Sequence, residues 1–338
     1  MLTRIALDNF GPLPSLQWNG LGRINLILGP NSSGKTFLLK ALYSALRTIE
    51  ANQRGNDPRT VAEILAEKLH WTFQAEKIGD LVTKGSEAAL RFALTLDDRE
   101  FSYSFGKDTA KSISTLTREF PPRAINSVFL PPKEVLSLQN IILKSRGLDR
   151  SFGFDDCYYD LAMALSYPGP QERGGDEFAH SRGQLESLFG GRIEFDPKSQ
   201  RWLFKNAKNQ KFQMSVTAEG IKKIAILDTL LSNRYLTPNS VVCIDEPESA
   251  LHPEAISTFL DIIQTLAVQG IQFFIASHSY FVVKKLCLIA LENQQSLPVL
   301  SFRDGLWEQD DLKDGMPPNP IIDESIRLYE AELSRVLG

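Results

Sequence analysis

Ile24-Asn25-Leu26-Ile27-Leu28-Gly29-Pro30-Asn31-Ser32-Ser33-Gly34-Lys35-Thr36-Phe37 joins an apolar run to a polar loop bounded by glycines. The run reads as a buried strand. From Lys35 to about Ile49, apolar residues recur at helical spacing: Phe37, Leu38, Ala41, Leu42, Ala45 and Leu46. The order is strand, loop, helix. Gly29 through Thr36 meets the pattern G-x-x-x-x-G-K-[ST] in full. Glycines let a backbone wrap closely around phosphates with its N–H groups inward, and the next helix aims its positive end at the anion. Asn31, Ser32, Ser33, Gly34 and Phe37 are assigned to this nucleotide cradle. Lys35 is expected to reach the β- and γ-phosphates, and Thr36 to offer its hydroxyl to Mg²⁺. A plain glycine turn would explain the loop alone, so its neighbours must decide.

Downstream, Val241-Val242-Cys243-Ile244-Asp245-Glu246-Pro247 is an apolar strand closing on two acids. In an open parallel sheet, that end faces the ligand crevice. Asp245 is expected to hold Mg²⁺, directly or through water, and Glu246 to orient or deprotonate an attacking water. Ile275-Ala276-Ser277-His278-Ser279 ends another apolar strand, and His278 is placed to hydrogen-bond a γ-phosphate. Thr217-Ala218-Glu219-Gly220 stands before a helix. Thr217 or Ser215 would cap that helix, and Gly220 permits close backbone approach. A helix cap and a nucleotide contact are both open readings of this turn.

The remaining composition narrows the class. At 338 residues the chain can bury a core without disulfides. A net charge of −4 argues against molecule-wide attraction to nucleic acid or anionic membrane. Cys157, Cys243 and Cys287 fit neither a zinc site nor a disulfide framework. A reducing, cytoplasmic setting is expected, with no signal peptide and no apolar run of membrane-spanning length.

Elsewhere, helices are expected at Val61 to Phe73, Val135 to Leu143, Tyr158 to Leu165, Glu219 to Leu231, Pro253 to Val268, Tyr280 to Leu291 and Ile321 to Leu337. Strands are expected at Leu2 to Leu7, Ala89 to Leu96, Glu100 to Phe105, Ser127 to Leu130 and Gln272 to Ala276. Arg192 to Phe195, Arg201 to Phe204 and Lys211 to Met214 suggest a meander. Pro168-Gly169-Pro170 and Gly174-Gly175 punctuate the middle. Asp310-Asp311 and Asp314 read as loop. The fold class is α/β: a P-loop NTPase core split at 1–50 and 215–305, a mixed antiparallel β and helical insert at 51–214, and a C-terminal extension at 306–338.

The order of these motifs resembles the ABC-type ATPases, and within them the soluble branch of RecF, SMC-like repair ATPases and the overcoming-lysogenization-defect (OLD) family. Leu7-Asp8-Asn9-Phe10-Gly11 resembles their opening strand. Glu246-Pro247-Glu248-Ser249-Ala250-Leu251-His252-Pro253 resembles their Walker B and D-loop stretch. Phe129-Leu130-Pro131-Pro132-Lys133-Glu134 resembles a segment of AAA-type ATPases from prokaryotic mobile and defence loci. The resemblance implies ATP and Mg²⁺ as cofactors, Lys35 and Thr36 as the Walker A pair, Asp245 as the magnesium residue, Glu246 as the catalytic glutamate and His278 as the switch histidine. Ala218, Glu219 and Gly220 take the place of the signature, although they depart from Leu-Ser-Gly-Gly-Gln. Gln139 is one candidate for the Q-loop.

The resemblance further implies a head-to-tail homodimer, or a higher oligomer, sandwiching two ATP molecules. It points to anti-phage defence or DNA repair. OLD-type chains carry a Toprim nuclease after the ATPase. About 60 residues follow His278 here, too few for such a domain, so a separate nuclease or toxin effector is expected. Lys198, Arg201, Lys205, Lys208 and Lys211, interleaved with Trp202, Phe204 and Phe212, offer a possible nucleic-acid surface; a solvated hairpin with inward aromatics is the simpler reading. The alternative function is an assembly scaffold that cages or releases a protein without nucleic acid. The C-terminal helix is expected to pack on its own core.

Overall fold

The computed structural model describes residues 1–117, 119–168, 178–199 and 201–337, and leaves out the side chains of Pro14, Val216, Glu219, Ile221, Val336 and Leu337. Gly169-Pro170 and Gly174-Gly175 lie outside the described residues. The chain opens with β1 (Leu2–Phe10), β2 (Leu13–Asn19), β3 (Ile24–Leu28), α1 (Lys35–Ala51) and α2 (Val61–Phe73). There follow β4 (Leu90–Leu96), β5 (Arg99–Phe105), β6 (Thr115–Leu116), β7 (Val128–Leu130), α3 (Gln139–Leu143), α4 (Asp156–Leu165) and α5 (Ala179–Phe189). A meander of β8 (Gly191–Asp196), β9 (Arg201–Asn206) and β10 (Lys211–Gln213) leads to α6 (Glu219–Ser232). The last elements are β11 (Val241–Asp245), α7 (Pro253–Val268), β12 (Gln272–Ser277), α8 (Tyr280–Glu292), β13 (Pro298–Arg303), β14 (Leu306–Asp311) and α9 (Pro320–Leu337).

The central sheet has the order β14-β13-β3-β12-β11-β7, parallel throughout except for β14. Strands β3, β11 and β12 are buried along their whole length, so they read as continuous apolar runs instead of alternating ones. Alternation persists in which core each residue serves. Leu26, Val242, Ile244, Phe273 and Ile275 face one core, with α6, α7 and α8. Ile27, Val241, Cys243, Phe274 and Ala276 face the other, with α1 and α2. Each fully buried Ile, Leu or Phe contributes roughly 1.5–3 kcal/mol by leaving water.

The second core is closed by an antiparallel sheet of order β2-β1-β4-β5-β6. Trp18 on β2 meets Phe274 on β12 edge-on at 6.0 Å. Gln272 ties the sheets together: its amide accepts from Leu2 N–H and donates to the carbonyls of Leu2 and Gly22, at 2.8–2.9 Å. The 51–214 segment is stitched into both sheets, since β4 pairs with β1 and β7 with β11.

Three local expectations change. Helix α3 begins at Gln139, not Val135. The Glu134 carboxylate accepts from the N–H and hydroxyl of Ser137, a local turn that competes with helix. Asp310 and Asp311 close strand β14 instead of lying in a loop, and Asp311 accepts from the N–H groups of Leu297 and Lys313. Among the described residues, helix α9 packs on its own core at its start, where Ile322 is buried. Farther along, Ile326, Leu328 and Tyr329 are more than half exposed.

Candidate functional site

The parallel register sets the site. Ile27, Ala276 and Asp245 stand in one row across β3, β12 and β11. The segments that follow each of them therefore meet at one edge of the sheet. The loop after β3 is tightly wound. Ser32 and Gly34 adopt left-handed backbones, with φ of 64° and 99°. A Cβ at Gly34 would lie 2.9 Å from Leu13 Cδ2, so glycine is required there by both backbone and space. Lys35 Nζ donates to the carbonyls of Gly29 and Pro30 at 2.7 and 2.8 Å. Its ammonium is buried, and burial lowers its pKa against the raising pull of Asp245, Glu246 and Glu248.

Thr36 Oγ1 donates to Asp245 Oδ2 at 2.8 Å. Asp245 is 2% exposed, and its other oxygen, Oδ1, has no partner. Ser33 Oγ is likewise buried and unpartnered. Orphaned oxygens beside a lysine and a threonine fit a site that could take Mg²⁺ and phosphate oxygens. Burial raises the Asp245 carboxyl pKa, opposed by the Thr36 hydrogen bond. A raised carboxyl favours folding fully below about pH 4 and loses that contribution as pH climbs through the raised value. Asp245→Asn is therefore expected to raise the Tm of metal-free protein, by on the order of 1–2 °C per kcal/mol released, while removing Mg²⁺-dependent nucleotide binding. Thermal unfolding in EDTA checks the first half. A lowered Tm would mean that attraction to the neighbouring lysines outweighs burial.

Glu246 has a left-handed backbone, φ 51°, which costs a non-glycine residue about 1–2 kcal/mol. It is held from two sides. Its N–H donates to the Ala276 carbonyl at 2.9 Å, and its carbonyl accepts from Lys223 Nζ at 2.5 Å. The Glu246 carboxylate is 34% exposed, with Oε1 3.4 Å from His278 Nδ1. Glu248 accepts from Ser277 Oγ at 2.8 Å and from His278 N–H at 3.2 Å. Glu248 and Lys223 contact this edge, and motif reading assigned neither a role. One signal was available for Lys223: a lysine one turn after Gly220, within the apolar run of α6.

Asn31, Ser32, Gly34, Lys35, Thr36, Phe37 and Glu246 line one open cleft of about 640 Å³, with Phe73 and Lys40 at its side. Ser33, Asp245 and His278 are not among its lining residues, and neither are Ala218 and Gly220. They start α6, where a Cβ on Gly220 would lie 2.7 Å from the Ala250 carbonyl. Ala218 is the capping position and makes no side-chain cap. Thr217 donates its hydroxyl to the Gln213 carbonyl instead, so the cap reading of Thr217 fails. The Glu219 side chain lies outside the described residues. Gln139 is buried, donates to the Ala162 carbonyl and accepts from Trp202 Nε1 at 2.6 Å, which commits its amide to internal packing. In the basic meander, Trp202 is buried, and Glu194 lies 3.7 Å from Lys205 and 3.3 Å from Lys211.

A phosphate loop, an Asp-Glu strand end and a strand-end histidine on neighbouring parallel strands, flanked by an antiparallel sheet, make a P-loop ATPase fold of the kind seen in Smc heads. The chain belongs to the family described as "AAA domain, putative AbiEii toxin, Type IV TA system", which matches residues 24–284. Solved structures with the same fold include an Smc head bound to the C-winged helix domain of ScpA, at 15% identity and TM-score 0.53, covering 92% of this chain and 97% of that one. Another is an Smc head with an extended coiled coil bound to the C-terminal domain of ScpA, from Pyrococcus furiosus, at 13% identity and TM-score 0.52, covering 96% and 99%. Among curated proteins, none matches this chain. No helix among the described residues is long and apolar enough to cross a membrane.

Proposed function

We propose that this chain hydrolyses ATP with Mg²⁺, closes head to tail with a second copy around two ATP molecules, and uses that cycle to control a separate protein effector in defence or repair. The observation that carries the reading is the Thr36–Asp245 hydrogen bond beside an unpartnered, buried Asp245 oxygen. Thr36 and Asp245 would hold Mg²⁺, which when bound would neutralise charge on the transferring phosphate. Asn31, Ser32, Ser33, Gly34 and Lys35 would cradle the phosphates, with Phe37 beside them. Glu246 would take the proton of the attacking water, and His278 would sense the γ-phosphate from the same edge. Ala218, Glu219 and Gly220 would complete the site of a second chain.

The division into a split core (1–50 and 215–305), an inserted 51–214 segment and a C-terminal extension is kept as part of this proposal, with β4, β5 and β7 completing the core sheets. The Smc heads of the same fold are recorded bound to a protein, ScpA, which supports a protein effector here. Pairing of Lys205 and Lys211 with Glu194 favours that effector over nucleic acid as the object of control. A cytoplasmic setting fits all of this.

Phosphate release by the purified protein, with and without Mg²⁺ and with and without duplex DNA, tests the reading. Mg²⁺-dependent release is expected, unchanged by DNA within about twofold. No release would sink the enzyme reading. Stimulation of about fivefold or more by DNA would turn the effector reading into a nucleic-acid-directed one.

A further inference from the structure

Glu246 sits on a backbone that its own residue type disfavours, and such conformations persist where the surroundings over-determine them. Ala250, four residues on, is also left-handed, with φ 63°. Two features of α6 hold this loop. Gly220, at its first turn, packs so closely that an added Cβ would lie 2.6 Å from Leu251 Cδ2 and 2.7 Å from the Ala250 carbonyl. Lys223, one turn on and 6% exposed, donates to the Glu246 carbonyl at 2.5 Å and reaches the Asp245 carbonyl at 3.5 Å. Lys223 lines a small cavity together with Leu130, Leu161 and Ile226 and with the charged Lys133 and Glu134. Burying an ammonium costs free energy, which its hydrogen bonds to the Glu246 and Asp245 carbonyls partly offset.

We propose that Lys223 is a positioning residue that ties the helix carrying the Ala218–Gly220 edge to the backbone of Glu246. Docking of that edge on the nucleotide of a second chain thereby sets the catalytic carboxylate of the first. The coupling half rests on the two-chain reading above; the positioning half does not. Helix α6 begins at the docking edge and reaches Glu246 through Lys223 one turn later. A small shift of α6 therefore moves the Glu246 carbonyl directly. The two nucleotide sites then fire together, because each chain's edge completes one site while its Lys223 readies the other.

Lys223→Met keeps the length and apolar stem and removes the donors. Three measurements on the full chain with ATP and Mg²⁺ decide the matter: the split between kcat and KM, ATP-induced dimerisation by light scattering, and specific activity against protein concentration. The native chain is expected to gain activity per chain as it dimerises. Lys223→Met is expected to bind ATP within threefold of native, to dimerise as native, to keep its Tm, and to lose at least 20-fold in kcat. Its activity per chain should rise with concentration more weakly than native, because the partner's edge still completes the site while the coupling through Lys223 is lost. Native kcat in Lys223→Met overturns the positioning role. A native-like rise with concentration overturns the coupling. Loss of dimerisation in Lys223→Met would put the lysine in the interface and also overturn the proposal, since its contacts lie within one chain. A Tm lowered together with ATP affinity would reduce Lys223 to a structural residue. If the native chain and Glu246→Gln both stay monomeric with ATP, the two-chain reading fails, and kcat of Lys223→Met still decides the positioning role.

Discussion

Glu246→Gln is expected to bind ATP at near-native affinity, to hydrolyse it about 10²–10⁴-fold more slowly, and to accumulate as a dimer. The substitution is nearly isosteric and leaves the backbone unchanged. The bonds from Glu246 N–H to Ala276 and from Lys223 to the Glu246 carbonyl therefore persist. What disappears is the only proton acceptor that Glu246 presents at the cleft, one that stands 3.4 Å from His278 Nδ1. Lys35, Thr36 and Asp245 are untouched, so binding and chemistry separate. Single-turnover hydrolysis, nucleotide titration and light scattering measure the three parts. Native turnover would remove Glu246 from the role of base, and loss of ATP binding would mean that its charge serves the ground state.

Lys35→Ala is expected to act on binding instead. Its ammonium is already desolvated, held by two loop carbonyls and opposed by burial. An arriving triphosphate would supply the counter-charge that burial withholds. Hydrogen bonds to charged groups are worth about 1.5–3 kcal/mol each, so loss of one raises the Kd for ATP by about 10–150-fold. The alanine form should stay folded, because the loop is also held by Gly34 against Leu13 and by the start of α1. Calorimetric titration with ATP and Mg²⁺ checks the first claim, and circular dichroism the second. Native affinity in Lys35→Ala would mean that the nucleotide binds elsewhere.

The strands at 24–28, 241–245 and 272–277 were legible because burial on both faces leaves an unbroken apolar signature. The phosphate loop was legible because its glycines are dictated by backbone geometry. Where readings failed, competing contacts, some local and some tertiary, had taken up the groups concerned. Thr217 looks like a cap, yet its hydroxyl turns back to the Gln213 carbonyl. Gln139 has the polarity of a ligand contact but bonds Trp202 across 63 residues. The left-handed turn at Glu246 is invisible in sequence because no glycine marks it. It is sustained by Lys223, 23 residues away and on another element. The exposure of α9 was hidden for a related reason: an apolar stripe announces that a face wants cover, without saying whether the chain supplies it.

The central strands also act as rulers. Each alternates its residues between two cores and ends in a residue that must emerge at the shared edge. Inserting or deleting one residue in β3, β11 or β12 would exchange the two faces and carry the phosphate loop, Asp245 or His278 about 3.3 Å along its strand. Substitutions at their apolar positions would trade one apolar shape for another, whereas a change of length would break both cores and the site in a single step.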